Sequence, residues 1–217
     1  MSIRIIGIGE STRVLPIITC LNELGLPFEL DPPSSLADLK TEDYIANKHP
    51  FGKIPVLYDG DFKITESRAI CRYLVSKYQG KHNNTVLIPN DVHKAGLVDQ
   101  FIFYESFYYD PGVSKLLFQE VYSEKYHGKA SDPEIVKQAR EEIAKVLDVY
   151  ERLLEGKEYL NGEYSLADLL HCPTFHFSCV VANHSDLWNE RPNVKKWKDR
   201  LISRDAWKKA ASEYINN

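Results

Sequence analysis

Apolar and polar positions follow two different rhythms along this chain. In roughly the first eighty residues, short β-branched runs sit between helical stripes. Arg4-Ile5-Ile6-Gly7-Ile8 reads as a buried strand that stops at Gly9. Leu15, Ile18, Leu21 and Leu24 recur at helical spacing, and Gly25 with Pro27 closes that helix. Pro16 falls in its first turns, where proline is best tolerated. Phe28-Glu29-Leu30 is a second strand, so Ile5 to Leu30 reads as β-α-β. A polar loop spans Asp31 to Thr41, and Leu39, Tyr44 and Ile45 suggest a short helix after it. Val56-Leu57-Tyr58 and Phe62–Ile64 flank Asp59-Gly60, a strong signal for a two-residue hairpin turn. Thr65 stands where a helix should begin, with Ala69, Ile70, Tyr73 and Leu74 as its stripe.

From Tyr78 to Pro89 the chain is mostly polar and reads as a linker. Beyond it only helical spacing remains. Ala95 to Tyr109 is rich in aromatics, and Asp110-Pro111-Gly112 is expected to break it. Val113 to Tyr126 continues helically. Pro133 opens a helix whose stripe is Ile135, Ala139, Ile143, Val146, Leu147, Tyr150 and Leu154. Ser165-Leu166-Ala167-Asp168 has the form of a capping box with Tyr164 as its staple, a structural device. The expected division is an α/β domain over residues 1–80 and an all-α domain over 91–217.

Composition removes several classes of function. At 217 residues and 43% hydrophobic, the chain has the means to bury a real core. Its 27 basic and 31 acidic residues give a net charge of -4, which offers no electrostatic case for nucleic acid or an anionic membrane. No apolar run approaches the ~20 residues of a membrane span, and the N-terminus lacks a signal-peptide pattern. Cys20, Cys71, Cys172 and Cys179 show no CxxC spacing and read as buried thiols. His171, Cys172 and His176 find no carboxylate at ligand spacing, so no metal is expected. A cytoplasmic location follows from these features.

Three places carry candidate chemistry. The proline of Ile54-Pro55 belongs at a strand start or edge. Were that bond cis, the Ile54 backbone would face outward and could pair with an extended peptide. Glu66-Ser67 sits at a helix start, where free N–H groups bind a carboxylate; a plain capping pair is the other reading. Ser11 follows the first strand. It serves either as a cap or as a hydroxyl donor that lowers the pKa of a thiol.

The combination resembles a known family. Pro50-Phe51-Gly52, then Pro55 and Leu57, about a dozen residues ahead of Glu66-Ser67-Arg68-Ala69-Ile70, is similar to the glutathione-binding half of glutathione S-transferases. The likeness is to the phi class of plants and its fungal relatives. Asp110-Pro111 through Ser114-Lys115-Leu116, the Ser165–Leu169 box and Arg191-Pro192-Asn193-Val194-Lys195-Lys196-Trp197 resemble the same class, so the likeness covers nearly the whole chain.

The resemblance implies a thioredoxin-like N-terminal domain and an all-helical C-terminal domain. It implies that Pro55 is cis, that Ile54 pairs with the cysteinyl backbone of glutathione, and that Glu66 and Ser67 hold its γ-glutamyl end. Lys40 and Lys53 would contact the glycyl carboxylate, although each also reads as a solvated surface lysine. Counting back from Glu23-Leu24-Gly25 places Ser11 on the family's catalytic serine. Pro16 stands where the family has an arginine, which makes Thr12 a competing donor. Tyr104, Tyr108 and Phe118, with Thr12, are candidates for the wall that holds an apolar electrophile. Glutathione enters as co-substrate, small hydrophobic electrophiles as the second substrate, and a second copy as partner in a homodimer with Phe51 as anchor. A glutathione-dependent peroxidase and a non-catalytic glutathione- or ligand-binding protein stay open as alternatives.

Overall fold

A computed structural model describes residues 3–215. The chain divides into two compact units, one running to Leu87 and taking in the stretch from Asp205, the other Ile88–Arg204.

The first unit is built on β1 (Ile3–Ile6), α1 (Leu15–Leu24), β2 (Phe28–Asp31), α2 (Glu42–Asn47), β3 (Val56–Asp59), β4 (Phe62–Thr65) and α3 (Ser67–Tyr78). The strands lie in the order β2-β1-β3-β4, with β2 parallel to β1 and the other neighbours antiparallel. This is the thioredoxin-like sheet that the β-α-β opening and the Asp59-Gly60 hairpin predict. Leu15, Ile17, Ile18, Cys20 and Leu21 of α1 are all fully buried. A helix apolar on every side must be covered on every side.

Two boundaries differ from the sequence reading. Helix α1 starts at Leu15, not beside Ser11, and Pro16 occupies its first turn. The N–H that Pro16 lacks would have had no intrahelical partner there, so the proline leaves the helix undisturbed. Strand β4 runs through Thr65, and α3 begins only at Ser67.

The second unit holds α4 (Val92–Tyr104), α5 (Asp110–Leu117), α6 (Ser123–His127), α7 (Pro133–Leu153), α8 (Leu166–Leu169), α9 (Cys172–His176), α10 (Asp186–Asn189) and α11 (Pro192–Ile202). The expected break at Asp110-Pro111-Gly112 does not occur. A π turn over Glu105–Tyr109 joins α4 directly to α5, and Asp110 N–H reaches back to the Glu105 carbonyl. The wider turn changes register just ahead of Pro111, so the helix passes the proline without a break. A second π turn, Phe118–Tyr122, joins α5 to α6.

The capping box forms as the sequence indicates. The Asp168 carboxylate is fully buried and accepts from the backbone N–H groups of Leu160 and Ser165, from Ser165 Oγ and from Trp197 Nε1 at 2.8–3.0 Å. Burial pushes its pKa up to about 6, against the pull of those four donors. His171 is a core residue, donating from Nδ1 to the Ala167 carbonyl and accepting at Nε2 from the Tyr150 hydroxyl.

The last helix, α12 (Asp205–Tyr214), leaves the helical unit and packs on α1 of the first. Trp207, Ala210 and Ala211 supply its buried face, and Asn22 Nδ2 of α1 donates to the Ala206 carbonyl at 3.1 Å.

The hairpin turn is tied to α3 by one buried carboxylate. Asp59 Oδ2 accepts from Lys77 Nζ at 2.6 Å and from the hydroxyls of Tyr73 and Tyr78 at 2.7 Å. Burial alone would raise the Asp59 pKa, but the three hydrogen bonds outweigh it and hold the group below its ordinary value. A depressed carboxylate stabilises the fold above its unfolded pKa of about 3.9 and loses that contribution as pH falls through the lower folded value. Asp59→Asn should therefore cost ~1.5–3 kcal/mol at neutral pH in urea denaturation. The loss should shrink below about pH 4; a loss that is the same at both pH values would contradict this account.

Candidate functional site

The sheet register gathers three separated segments. Ile6, the last residue of β1, pairs with Val56, the first of β3, and Val56 pairs with Thr65, the last of β4. The chain after β1, the chain before β3 and the chain after β4 therefore meet at one end of the sheet. These segments carry Ser11, Ile54-Pro55 and Glu66-Ser67.

Ser11 lies in the turn leading into α1. Its N–H donates to the Ile8 carbonyl at 3.0 Å, and its own carbonyl accepts from Val14 and Leu15 at 2.9 Å. Its Oγ accepts from the Arg13 N–H at 3.2 Å. The hydroxyl is thus oriented by an incoming bond, with its hydrogen left to donate. Ser11 is therefore not the N-cap of α1, a place held by Val14 without a side-chain bond; its Oγ closes the entry turn instead. Thr12, equally half-buried, is its neighbour in the same turn.

The Ile54-Pro55 bond is cis, as expected. Ile54 packs half-buried against a small core of Ile6, Leu39, Tyr44 and Val56. The loop ahead of it is fixed by two side chains. Tyr44 donates its hydroxyl to the Lys53 carbonyl at 2.9 Å, and Lys40 Nζ donates to the Gly52 carbonyl at 2.7 Å. Gly52 has φ +58°, and a Cβ there would lie 2.5 Å from the Leu39 carbonyl oxygen. Only glycine fits so close an approach. The structure thereby draws Lys40 to the loop carrying Lys53, and both ammonium side chains are exposed.

Glu66 occupies a left-handed backbone position, φ 69° and ψ 113°, at the N-cap of α3. Such a conformation is uncommon for a residue other than glycine and costs roughly 1–3 kcal/mol. It leaves the Glu66 carboxylate largely exposed while Ser67, the first helical residue, is buried. Exposed carboxylate and helix N-terminus together offer an acceptor for a cation beside donors for an anion.

His49 is a member of this site that sequence reasoning missed. It is 2% exposed, accepts the Phe51 N–H at Nδ1 (3.2 Å) and turns Nε2 to within 3.8 Å of Glu66 Oε1. Burial lowers its pKa, opposed by Glu66, so the ring stays neutral with its proton on the Glu66 side. The one sequence signal was its place directly before Pro50-Phe51-Gly52.

Among the expected acceptor residues, Tyr104 and Tyr108 come together, their rings 5.9 Å apart. With Lys145, Val146, Val149, Tyr150 and Leu153 they line a mainly apolar groove of about 410 Å³ between α4 and α7. Phe118, almost three helical turns further on, does not line it.

Known proteins resemble this chain over nearly its whole length. The family model described as the glutathione S-transferase N-terminal domain matches residues 16–82, and the one for the C-terminal domain matches 113–205. The chain is 37% identical over 212 residues to a glutathione S-transferase of Hyoscyamus muticus, covering 97% of this chain and 98% of the relative. Among solved structures, glutathione transferase F2 of Populus trichocarpa superposes with a TM-score of 0.92 at 29% identity, covering 99% of this chain and all of that one. Glutathione S-transferase I of maize, solved with an atrazine glutathione conjugate, superposes with a TM-score of 0.85 at 30% identity, over 98% and 97% of the two chains.

The strain at Glu66 is measurable without any ligand. Glu66→Gly should be more stable than Glu66→Ala by roughly 1–2 kcal/mol in urea denaturation, because glycine takes φ near 69° freely. Equal stabilities would mean that the backbone there stores no strain.

Proposed function

The chain belongs to the glutathione S-transferase family, and we infer that it is an enzyme joining the thiolate of glutathione to small apolar electrophiles. The observation that carries this reading is the convergence of Ser11, Ile54-Pro55 and Glu66-Ser67 at one sheet end. An extended tripeptide with an anionic and a cationic group at its γ-glutamyl end, and a carboxylate at its glycyl end, suits that arrangement.

In this reading the N-terminal N–H groups of α3 and Ser67 take the γ-glutamyl carboxylate. Glu66, backed by His49, takes the amine. The Ile54 backbone pairs with the cysteinyl residue, and Lys40 and Lys53 attract the glycyl carboxylate. The sulfur then comes to Ser11. A free thiol has a pKa near 8.5, so little of it is ionised at neutral pH. The Ser11 hydroxyl donates to the charged form and favours it. The thiolate sulfur forms the new bond with its own electron pair; in a substitution the leaving group departs from the acceptor with its bonding pair, and in an addition the displaced pair stays on the acceptor and takes a proton from water.

Ser11→Ala removes the donor and should raise the pKa of bound glutathione by roughly one to two units, from ~1.5–3 kcal/mol at about 1.36 per unit. Binding of glutathione should stay nearly unchanged. Ser11→Cys should lose conjugation and gain thiol exchange through a mixed disulfide. Thiolate absorbance of the glutathione complex against pH checks this. An unmoved curve for Ser11→Ala with a moved one for Thr12→Ala would transfer the role to Thr12.

We also infer a homodimer. Phe51 is 71% exposed on its loop, a large apolar surface for a monomer to leave in water. The groove lined by Tyr104, Tyr108 and Val149 is apolar and of a size to receive such a ring from a second copy. That use competes with the place expected for both tyrosines on the acceptor wall, and leaves Phe118 to the wall. Light scattering at micromolar concentration should show a particle of twice 25.0 kDa, and Phe51→Ser should halve it. A wild-type particle of single mass would refute the dimer. A dimer indifferent to Phe51→Ser would return the groove to the acceptor.

A further inference from the structure

Two glycines hold the loop that carries Ser11 against neighbouring elements. A Cβ on Gly7 would lie 2.6 Å from Val14 Cγ2. A Cβ on Gly9 would lie 2.5 Å from Cδ1 of Tyr214, 3.1 Å from its Cγ and 3.2 Å from its Cβ. Neither glycine needs a left-handed backbone; each is there because something rests directly on it. On Gly9 that something is the aromatic ring at the end of α12.

Gly9 is one of the two central residues of a turn closed by the Ser11 N–H on the Ile8 carbonyl at 3.0 Å. Ser11 is the last residue of that turn, so its backbone moves whenever the turn does. Tyr214 is held in turn by α12, whose Trp207 and Ala210 are buried and whose Ala206 carbonyl is bonded to Asn22 of α1. The atoms against Gly9 are ring and Cβ carbons, so the ring and not the phenol oxygen makes the contact.

We propose that Tyr214 is a positioning residue for Ser11: its ring pins the Ile8–Ser11 turn and so sets where the serine hydroxyl points. The inference rests on Ser11 being the donor to the glutathione thiolate. A misplacement on the order of 1 Å is enough to cost a large part of an aligned interaction. Within the turn Gly9 is the residue least able to hold its own conformation, so the ring restrains the position where the backbone is freest.

The test follows thiolate absorbance against pH for the glutathione complex, together with glutathione affinity and kcat at neutral pH. The variants are Ser11→Ala, Tyr214→Ala, Tyr214→Phe, Gly9→Ala and the double variant Gly9→Ala/Tyr214→Ala. Tyr214→Ala should move the thiol curve up by about half to one pH unit and lower kcat at neutral pH roughly three- to tenfold, with glutathione affinity unchanged. Tyr214→Phe keeps the ring and should match wild type. Gly9→Ala drives a methyl group into the ring and should shift the curve in the same direction. Removing the ring as well should make the double variant no worse than Tyr214→Ala, the non-additivity expected of touching residues. A Tyr214→Ala curve that coincides with wild type, while Ser11→Ala shifts, overturns the proposal alone. If Ser11→Ala does not shift either, the reading of Ser11 as donor fails and takes the proposal with it. Should Tyr214→Ala not fold, an unshifted Gly9→Ala curve overturns the proposal in its place.

Discussion

Everything at the site depends on one line of strand pairing. Val56 is bonded to Ile6 on one side and Thr65 on the other, and it is fully buried. Side chains alternate between faces along a strand, so a slip of one residue would exchange the two faces of β3 and destroy its core. The register is therefore fixed by apolar burial far from any chemistry. As a by-product, three polar segments separated by up to fifty-odd residues end side by side. Hydrophobic packing thus places the ligand groups.

Strain is concentrated where the polar segments have to do something a regular element would not. Glu66 accepts a left-handed backbone between a strand and a helix, and Gly52 lets the loop carrying Lys53 close directly onto the Leu39 carbonyl. Both departures are braced from below. His49 sits buried beneath Glu66, and Tyr44 pins the Lys53 carbonyl. The glycine takes its conformation freely, whereas the cost of roughly 1–3 kcal/mol at Glu66 is tolerable only because its neighbours over-determine the position.

What was legible in the sequence was local. Asp59-Gly60 announces its hairpin because a two-residue turn depends on the turn residues themselves. The Ser165–Asp168 box carries its geometry in residue type and spacing, whereas the cis bond at Pro55 was implied only by the family resemblance. The features that were not legible are those set by distant parts of the chain. Asp110-Pro111-Gly112 looks like a helix end, yet a π turn over the five residues directly before it carries the helix past it. His49 and Glu66 are seventeen residues apart and meet only through the sheet. Helix α12 carries an amphipathic pattern that names no partner, and its burial on α1 belongs to tertiary structure alone.

That last placement bears on how the protein is made. All the other strands and helices of the first unit are synthesised by Tyr78, but α1 keeps an uncovered apolar face until Asp205–Tyr214 has left the ribosome. At ~5–20 residues per second, the delay is on the order of ten seconds. Throughout it, the nascent unit exposes the surface that Trp207, Ala210 and Ala211 will later cover. An exposed apolar face on a growing chain is where a holding chaperone binds, and it is also where neighbouring nascent chains stick to one another. The helix that completes the first unit therefore sets the earliest moment at which α1 can be wholly covered.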